Sequence, residues 1–588
     1  MIAEARKILA ILPPRLRRLL LALTLLMLLG AIAEVVSLGA IVPFLAVLVD
    51  PQGAASLPLV GSWLSAQPLL EQRLWVGGGF LLGLGLAAAM RIVLLSANIR
   101  FTHAAGFALS RAAFGKTLSQ PYDWHTQHNS SDHIANLERV NSFVGRNIGP
   151  MLNLLTAVLL GCGILTLLLL THPEIMLGLL LGVAAFYALV VHLTRRRLLQ
   201  NGQVINSAAT ERVRVLQESL GGIRDVILDD SYAVHQKRFE REEMALRAAM
   251  RENEWVSQLP RYLLEFIGMA TIVAVATAIA ATQEEGALTT LGLIAFGSQK
   301  LLPLAQQIYY AWGMLKTAGP ARADVLRVLS LPDRKESNGT QGLSFEHGIE
   351  LSDVSYAYPG HQKKVLNHIR LRIPRGARIG FVGPSGGGKS TLIDLIMGLL
   401  SPNSGEMLVD GVSLTAQNIR QWRKRVAHVP QSIYLLDASV RENIAFGVAL
   451  HEIDEARIQQ CIAMAQLTET ITGLPEGLDT VIGERGVLLS GGQRQRIGMA
   501  RALYRQADIL VLDEATSALD NATEQRVIAA LQQIGPGITV LMVAHRLTTL
   551  AQCDRIVHIE NGRIARQESY SDLMKTAGDV SHAARGEA

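Results

Sequence analysis

Long apolar stretches constrain this chain more than any other feature of its sequence. Six runs, roughly Leu19–Val49, Leu74–Ile99, Ile148–Leu170, Ile175–Leu193, Leu263–Thr282 and Leu291–Leu315, all lie before residue 320. Each is near or above the approximately 20 residues with which a helix crosses a bilayer. The texture changes between residues 320 and 345, and no later run is long enough to span. The spacing predicts an α-helical membrane domain over residues 1–325 and a soluble α/β domain over 345–588.

Composition agrees with two unlike halves. Of 588 residues only 18% are charged, against roughly 25% in an ordinary soluble protein, and an apolar content of 49% excludes disorder. The net charge of +5 is too small for this length to argue for a nucleic-acid partner. Cys162, Cys461 and Cys553 are odd in number and widely spaced, which favours buried thiols over a disulfide framework or a zinc site.

Orientation follows from Lys and Arg, which are retained on the cytoplasmic side. The loops 50–72, 172–174 and 283–290 contain neither, whereas Arg15, Arg17, Arg18, Arg195, Arg196 and Arg197 flank the opposite ends, so both termini are expected in the cytoplasm. The first run is too long for a secretory leader and ends in no small-residue cleavage site, so it is expected to be retained. The inside segments Arg100–Asn147 and Thr194–Arg261 carry helical patterning. Some 20 helical residues on each arm would reach roughly 30 Å from the membrane. Pro121–Trp124 and Asp229–Tyr232 interrupt those patterns and mark expected reversals, either ordinary loop tips or points of engagement with a cytosolic domain.

In the soluble half, a buried strand pattern leads into Gly383, Pro384, Ser385, Gly386, Gly387, Gly388, Lys389, Ser390 and Thr391, followed by an amphipathic run to Leu400. The glycines let backbone N–H groups approach phosphate oxygens, Lys389 offers a cation to the β- and γ-phosphates, and the Ser390 hydroxyl is a magnesium ligand. The following helix turns its positive end to the anion. A second apolar strand, Ile509–Leu512, ends in Asp513 and Glu514. A carboxylate so placed suits magnesium, and its neighbour suits the orientation of an attacking water.

The stretch Leu489–Arg496, reading LSGGQRQR, resembles the signature of ATP-binding-cassette (ABC) proteins, and the other family motifs stand in order around it. They are Tyr358, the phosphate loop, Gln431, Asp513 with Glu514, Ser517–Asp520 and His545. Six spans ahead of one nucleotide domain resemble an ABC exporter half-transporter of the type IV fold. That resemblance implies adenine stacking on Tyr358, closure of Ser490, Gly491, Gly492 and Gln493 over ATP held by a second chain, and Glu514 positioning water. It further implies that His545 meets the γ-phosphate, that Ser390, Gln431 and Asp513 surround magnesium, and that Gln431 reports to the membrane domain. Glu484–Gly486 is similar to the loop that meets a partner's cytoplasmic arms, although Arg485 also suits a surface ion pair. With one phosphate loop and one signature per chain, a homodimer with two competent ATP sites is expected.

Charges at membrane depth cost roughly 2.5–3.5 kcal/mol on insertion scales, which singles out Glu34, Arg91, Arg261 and Lys300. Glu265 stands one turn beyond Arg261, where a local pair forms. Partnered helix packing and, for the cations, snorkelling to the interface are alternative readings. Residues Ala33–Phe44 and Pro260–Glu265 resemble the bacterial lipid-linked oligosaccharide flippases of the inner membrane. In that family basic cavity residues handle the lipid pyrophosphate, which assigns Arg91, Arg261 and Lys300 to substrate, while Gln307 departs from a further basic position. The resemblance extends to a short external helix within Ser56–Leu70 that meets the polyprenyl tail, with Leu59, Val60, Trp63 and Leu64 on its apolar side; a plain connecting loop is the alternative. The expected function is ATP-driven export of a polyprenyl-pyrophosphate glycan. A lipid, drug or peptide exporter, or an ATP-gated channel, stands as the alternative. The short stretch ahead of Arg15 is expected to leave no place for a coupled protease domain.

Overall fold

A computed structural model describes residues 10–49, 61–171, 173–282, 287–333, 343–515, 521–532, 537–544 and 547–575. The chain divides into two compact units, Met1–Gln120 with His128–Asp333, and Pro121–Gln127 with Arg334–Ala588.

The first unit is helical. Its elements are α1 (Pro14–Gly39), α2 (Ile41–Val49), α3 (Gly61–Ser65) and α4 (Leu69–Leu118). After the short helix α5 (Tyr122–Gln127), which groups with the second unit, come α6 (Ser130–Phe143), α7 (Gly149–Thr171), α8 (Pro173–Gly221) and α9 (Ile223–Leu228). The unit ends with α10 (Tyr232–Thr282), α11 (Ala287–Thr317) and α12 (Gly319–Ser330). All six apolar runs lie on these helices. Among the described residues, Pro14–Leu45, Leu69–Leu118 and Ser130–Leu170 are long and apolar enough to cross a membrane.

The spans and the polar arms are continuous helices: α4 has 50 residues, about 75 Å at the helical rise. Of the expected reversals, Pro121 stands between α4 and α5 with Tyr122–Trp124 opening α5, and Asp229–Ser231 stand between α9 and α10. A π-helical turn at Val144–Ile148 joins the arm α6 to the span α7. The first run is broken at Ala40 into α1 and α2. Pro43 explains the break, because it has no N–H for the Gly39 carbonyl and its ring crowds that group.

Leu23, Met27, Leu94, Phe101, Leu109, Phe143, Ile148 and Leu152 pack into one core cluster with Val325 of α12. The opposite faces are apolar too: Leu21, Leu82 and Leu170 are 73%, 77% and 79% exposed, which suits hydrocarbon rather than water. Lys116 Nζ donates to the carbonyls of Leu329 (2.5 Å) and Leu331 (2.9 Å) at the end of α12, satisfying acceptors that a helix terminus leaves open. Arg139 pairs with Asp324 of α12 at 3.3 Å, and Asn206 donates to the same carboxylate at 2.9 Å.

Pro260 interrupts the hydrogen-bond ladder of α10 and leaves the carbonyl of Val256, four residues earlier, without its helical donor. The hydroxyl of Tyr309 on α11 donates to that carbonyl at 3.2 Å.

The described part of the external stretch holds a single helical turn, α3, and Pro68 already caps α4. Leu64 is buried, and Trp63 meets Trp75 edge to face at 5.8 Å. Leu59 and Val60 lie outside the described residues.

The second unit holds two sheets. One is antiparallel in the order β2 (Leu366–Pro374), β1 (Gly348–Tyr356), β4 (Ser404–Val409), β5 (Val412–Ser413). The other has six strands in the order β10 (Arg563–Glu568), β9 (Arg555–Glu560), β3 (Arg378–Val382), β8 (Thr539–Val543), β7 (Ile509–Asp513), β6 (Val426–Val429). Its pairings are parallel from β9 to β6, with β10 an antiparallel edge. Parallel strands buried on both faces read as continuous apolar runs, as 509–512 does.

Candidate functional site: a nucleotide cradle and an intramembrane charge cluster

The phosphate loop connects β3 to helix α13 (Lys389–Ile396), while β7 delivers Asp513 and Glu514 two strands away with β8 between them. Both segments leave the carboxyl ends of parallel strands, where open α/β sheets bind ligands. Gly383, Gly386 and Gly388 have φ of +150°, +76° and +105°, values at which a side chain is strained. Pro384, Ser385 and Gly386 are exposed, whereas Gly387, Gly388, Lys389 and Thr391 are buried. Lys389 Nζ donates to the carbonyls of Gly383 (2.8 Å) and Pro384 (2.9 Å), so its ammonium group lies across the loop's own backbone. The Tyr358 hydroxyl lies 3.2 Å from that of Thr391, which places the aromatic ring beside the first turn of α13.

Glu514 has a left-handed backbone, φ +49°, and its N–H donates to the Val543 carbonyl at 3.0 Å. Gln431 Nε2 donates to Glu514 Oε2 at 2.6 Å, bringing together two residues that the sequence motifs single out separately. Its amide nitrogen being given to Glu514, the amide oxygen is the atom left for a metal. The exposed Ser390 hydroxyl, the Asp513 carboxylate and this amide oxygen are each hard oxygen donors of the kind magnesium takes. Gln495 Nε2 donates to the Glu514 carbonyl at 3.3 Å. That brace from the signature stretch has no sequence signal of its own.

The signature opens helix α14 (Gly491–Tyr504). Ser490 caps it: Ser490 Oγ accepts from Gln493 N–H at 3.2 Å and Gln493 Oε1 accepts from Ser490 N–H at 2.8 Å. Gly491 and Gly492 fill the first turn, where helix N–H groups and the dipole favour an anion. The signature helix and the phosphate helix belong to different apolar clusters, one around Ile497 and Met499 and the other around Leu392 and Ile396. His545 and Ser517–Asp520 lie outside the described residues.

Sequence reasoning missed Asp394, on α13. Burial pushes its carboxyl up to about 6, and the nearby Asp513 charge adds to the shift. Burial also pushes His428, on β6, down to about 4. The two oppose each other. The stability contributed by Asp394 is complete below its ordinary value of 3.8 and is lost as pH rises through about 6. That contributed by His428 is present above 6.5 and is lost as pH falls toward about 4. Asp394→Asn therefore raises the thermal midpoint near neutral pH, where the wild-type carboxylate is half-buried and charged, and loses that gain near pH 4. Unfolding curves at the two pH values check this; equal gains at both would contradict it.

In the membrane unit, Glu34 is 2% exposed and pairs with both Arg91 and Lys300. Arg91 Nε donates to Glu34 Oε2 at 3.0 Å and its second guanidinium nitrogen meets Oε1. Lys300 Nζ donates to Oε1 at 2.5 Å and stands 5.4 Å from the Phe296 ring centre. Arg261 is apart from this cluster. It faces Glu265 at 3.7 Å, and both line a cavity of about 1380 Å³ among α7, α8, α10 and α11 with Ile41, Leu45 and Phe296. Of the three cations expected to share one task, Arg91 and Lys300 pair with Glu34, while Arg261 pairs with Glu265.

The family described as ABC transporter transmembrane region matches residues 19–299, and the family described as ABC transporter matches 366–517. An ATP-dependent lipid A-core flippase of Cupriavidus metallidurans is 34% identical over 408 residues, 69% of this chain and 68% of that protein. The chain belongs to the ABC transporter family. A namesake flippase of Paraburkholderia xenovorans is 34% identical over 394 residues, 66% of this chain and 65% of its own. The structure of a bacterial Atm1-family ABC exporter with ATP bound superposes with a TM-score of 0.81 at 22% identity, covering 97% of this chain and all of that one, and so shares the fold. As a type IV ABC half-transporter the chain is an integral membrane protein and an ATPase whose activity is coupled to transport.

Proposed function

We propose that two copies of this chain form an ATP-driven flippase that moves a lipid with a phosphate-bearing head, with a polyprenyl-pyrophosphate glycan as the favoured cargo, to the outer leaflet of a bacterial inner membrane. The observation that carries the anionic head is the meeting of Arg91 and Lys300 at membrane depth around one carboxylate. Relatives named as lipid A-core flippases support a lipid cargo. The apolar cavity beside Arg261 offers room for a lipid tail.

Each chain supplies one phosphate loop and one signature, so two chains complete two sites. ATP phosphates take Lys389 from the Gly383 and Pro384 carbonyls, and the partner's signature helix covers the nucleotide. Ser390, Asp513 and Gln431 would hold magnesium, which would neutralise charge on the phosphates. Glu514, held by Gln431, accepts the proton of the attacking water, and His545 meets the γ-phosphate. Adenine rests on Tyr358. Both termini lie in the cytoplasm.

A reconstituted flipping assay with lipid-linked oligosaccharide tests the cargo. Arg91→Ala and Lys300→Ala are expected to slow flipping by about tenfold or more, as loss of a buried charge partner does, with a smaller loss for Arg261→Ala. Normal flipping by all three variants would remove the pyrophosphate reading and leave an exporter of lipophilic cargo, which the apolar cavity equally suits.

A further inference from the structure

One feature of the charge cluster goes beyond headgroup binding. Glu34 gives both carboxylate oxygens to cations, Oε2 to Arg91 and Oε1 to Arg91 and Lys300 together. A phosphate oxygen pair presents the same chemistry to the same two groups. The carboxylate is nearly sealed at 2% exposure, Lys300 is 17% exposed, and Arg91 is 52% exposed. Arg91 is therefore the member that an incoming anion meets first, with Glu34 behind it. One carboxylate against two cations leaves a surplus positive charge, which in a low-dielectric setting attracts a further anion.

We propose that Glu34 is an internal competitor of the lipid phosphate: it occupies Arg91 and Lys300 between transport events, yields them to the arriving headgroup, and takes them back to expel it. This rests on the reading that the cargo head is anionic. Glu34 then sets two quantities in opposite directions. It weakens headgroup binding, because the headgroup has to displace it, and it speeds release, because its return restores the pairing. It also sets specificity, since a head without a phosphate offers the cations nothing in exchange for the carboxylate.

The full-length protein in nanodiscs is titrated with farnesyl pyrophosphate while ATP hydrolysis is followed. Glu34→Gln keeps the side-chain shape and removes the charge. It is expected to lower the half-stimulating concentration by about tenfold, the scale of one close charge pair, and to lower the maximal stimulated rate. Arg91→Ala and Lys300→Ala are expected to raise the half-stimulating concentration. Glu34→Asp retracts the charge by one methylene and is expected to shift binding in the same direction as Gln but less, so the test stands even where the Gln variant does not fold. A carboxylate that only packs helices would lower the thermal midpoint of both variants without tightening binding. If neither Glu34 variant tightens binding while the Arg91 and Lys300 variants weaken it, the competitor role falls and the anionic-head reading stands. If none of the four shifts the half-stimulating concentration, both fall. Farnesol is expected to be inert, and stimulation by inorganic pyrophosphate at equal concentration would overturn a lipid source for the phosphate.

Discussion

Glu514→Gln leaves ATP bound and stops its hydrolysis. The substitution keeps the hydrogen bond to Gln431 within reach, since the amide oxygen of the new side chain accepts from Gln431 Nε2 where Oε2 did at 2.6 Å. It keeps the backbone pairing to Val543 as well, and it touches none of the phosphate loop. What it removes is the carboxylate proposed to accept a proton from the attacking water. Removing a positioned general base costs about 10²–10⁴-fold in rate, so lipid-stimulated turnover should fall into that range while the affinity for a fluorescent ATP analogue changes little. Phosphate release and equilibrium binding on the same preparation check both halves. Turnover within threefold of wild type would remove Glu514 from the chemical step.

Gly383→Ala acts on the cradle itself. At φ +150° a Cβ on Gly383 would stand 2.0 Å from the carbonyl oxygen of Ile559 and 3.1 Å from its carbon. These are backbone atoms of β9, a strand held in the sheet by β3, so they cannot turn aside as a flexible side chain would. Backbone strain of about 1–3 kcal/mol adds to overpacking of about 1–3 kcal/mol. Against the marginal stability of a domain, this should lower the thermal midpoint of the nucleotide unit by roughly 5–15 °C. Displacement of the loop should also abolish ATP binding. Calorimetry and analogue binding check the two effects. A variant with the wild-type midpoint and affinity would show that the loop is not held against β9.

The sequence shows spans through length and apolar content alone, which is why runs such as 74–99 and 148–170 fall on helices without any knowledge of packing. The phosphate loop is legible for a different reason: glycines with a lysine at fixed spacing meet a local chemical need within nine residues of chain. Partnerships made by packing are not local. Glu34 lies 57 residues from Arg91 and 266 from Lys300, so residue type identifies each as costly in a membrane but not as one another's partner. Gln431 and Glu514 are 83 residues apart and meet because β6 lies next to β7. Asp394 is hidden in the sequence because an acid on an amphipathic helix reads as a solvated face, and only the folded unit half-buries it near Asp513. The break at Ala40 was within reach, as Pro43 stands in the first run, but unbroken hydropathy across it hid the consequence.

The bond from Tyr309 to the Val256 carbonyl carries a mechanical meaning. A proline bend is the natural flexing point of a long helix, and here the group that the bend exposes is held by the neighbouring helix. A buried carbonyl left without a donor costs free energy comparable to a lost hydrogen bond. A movement of α10 at Pro260 that displaces Val256 therefore breaks this bond unless α11 follows, so one phenol couples the two helices.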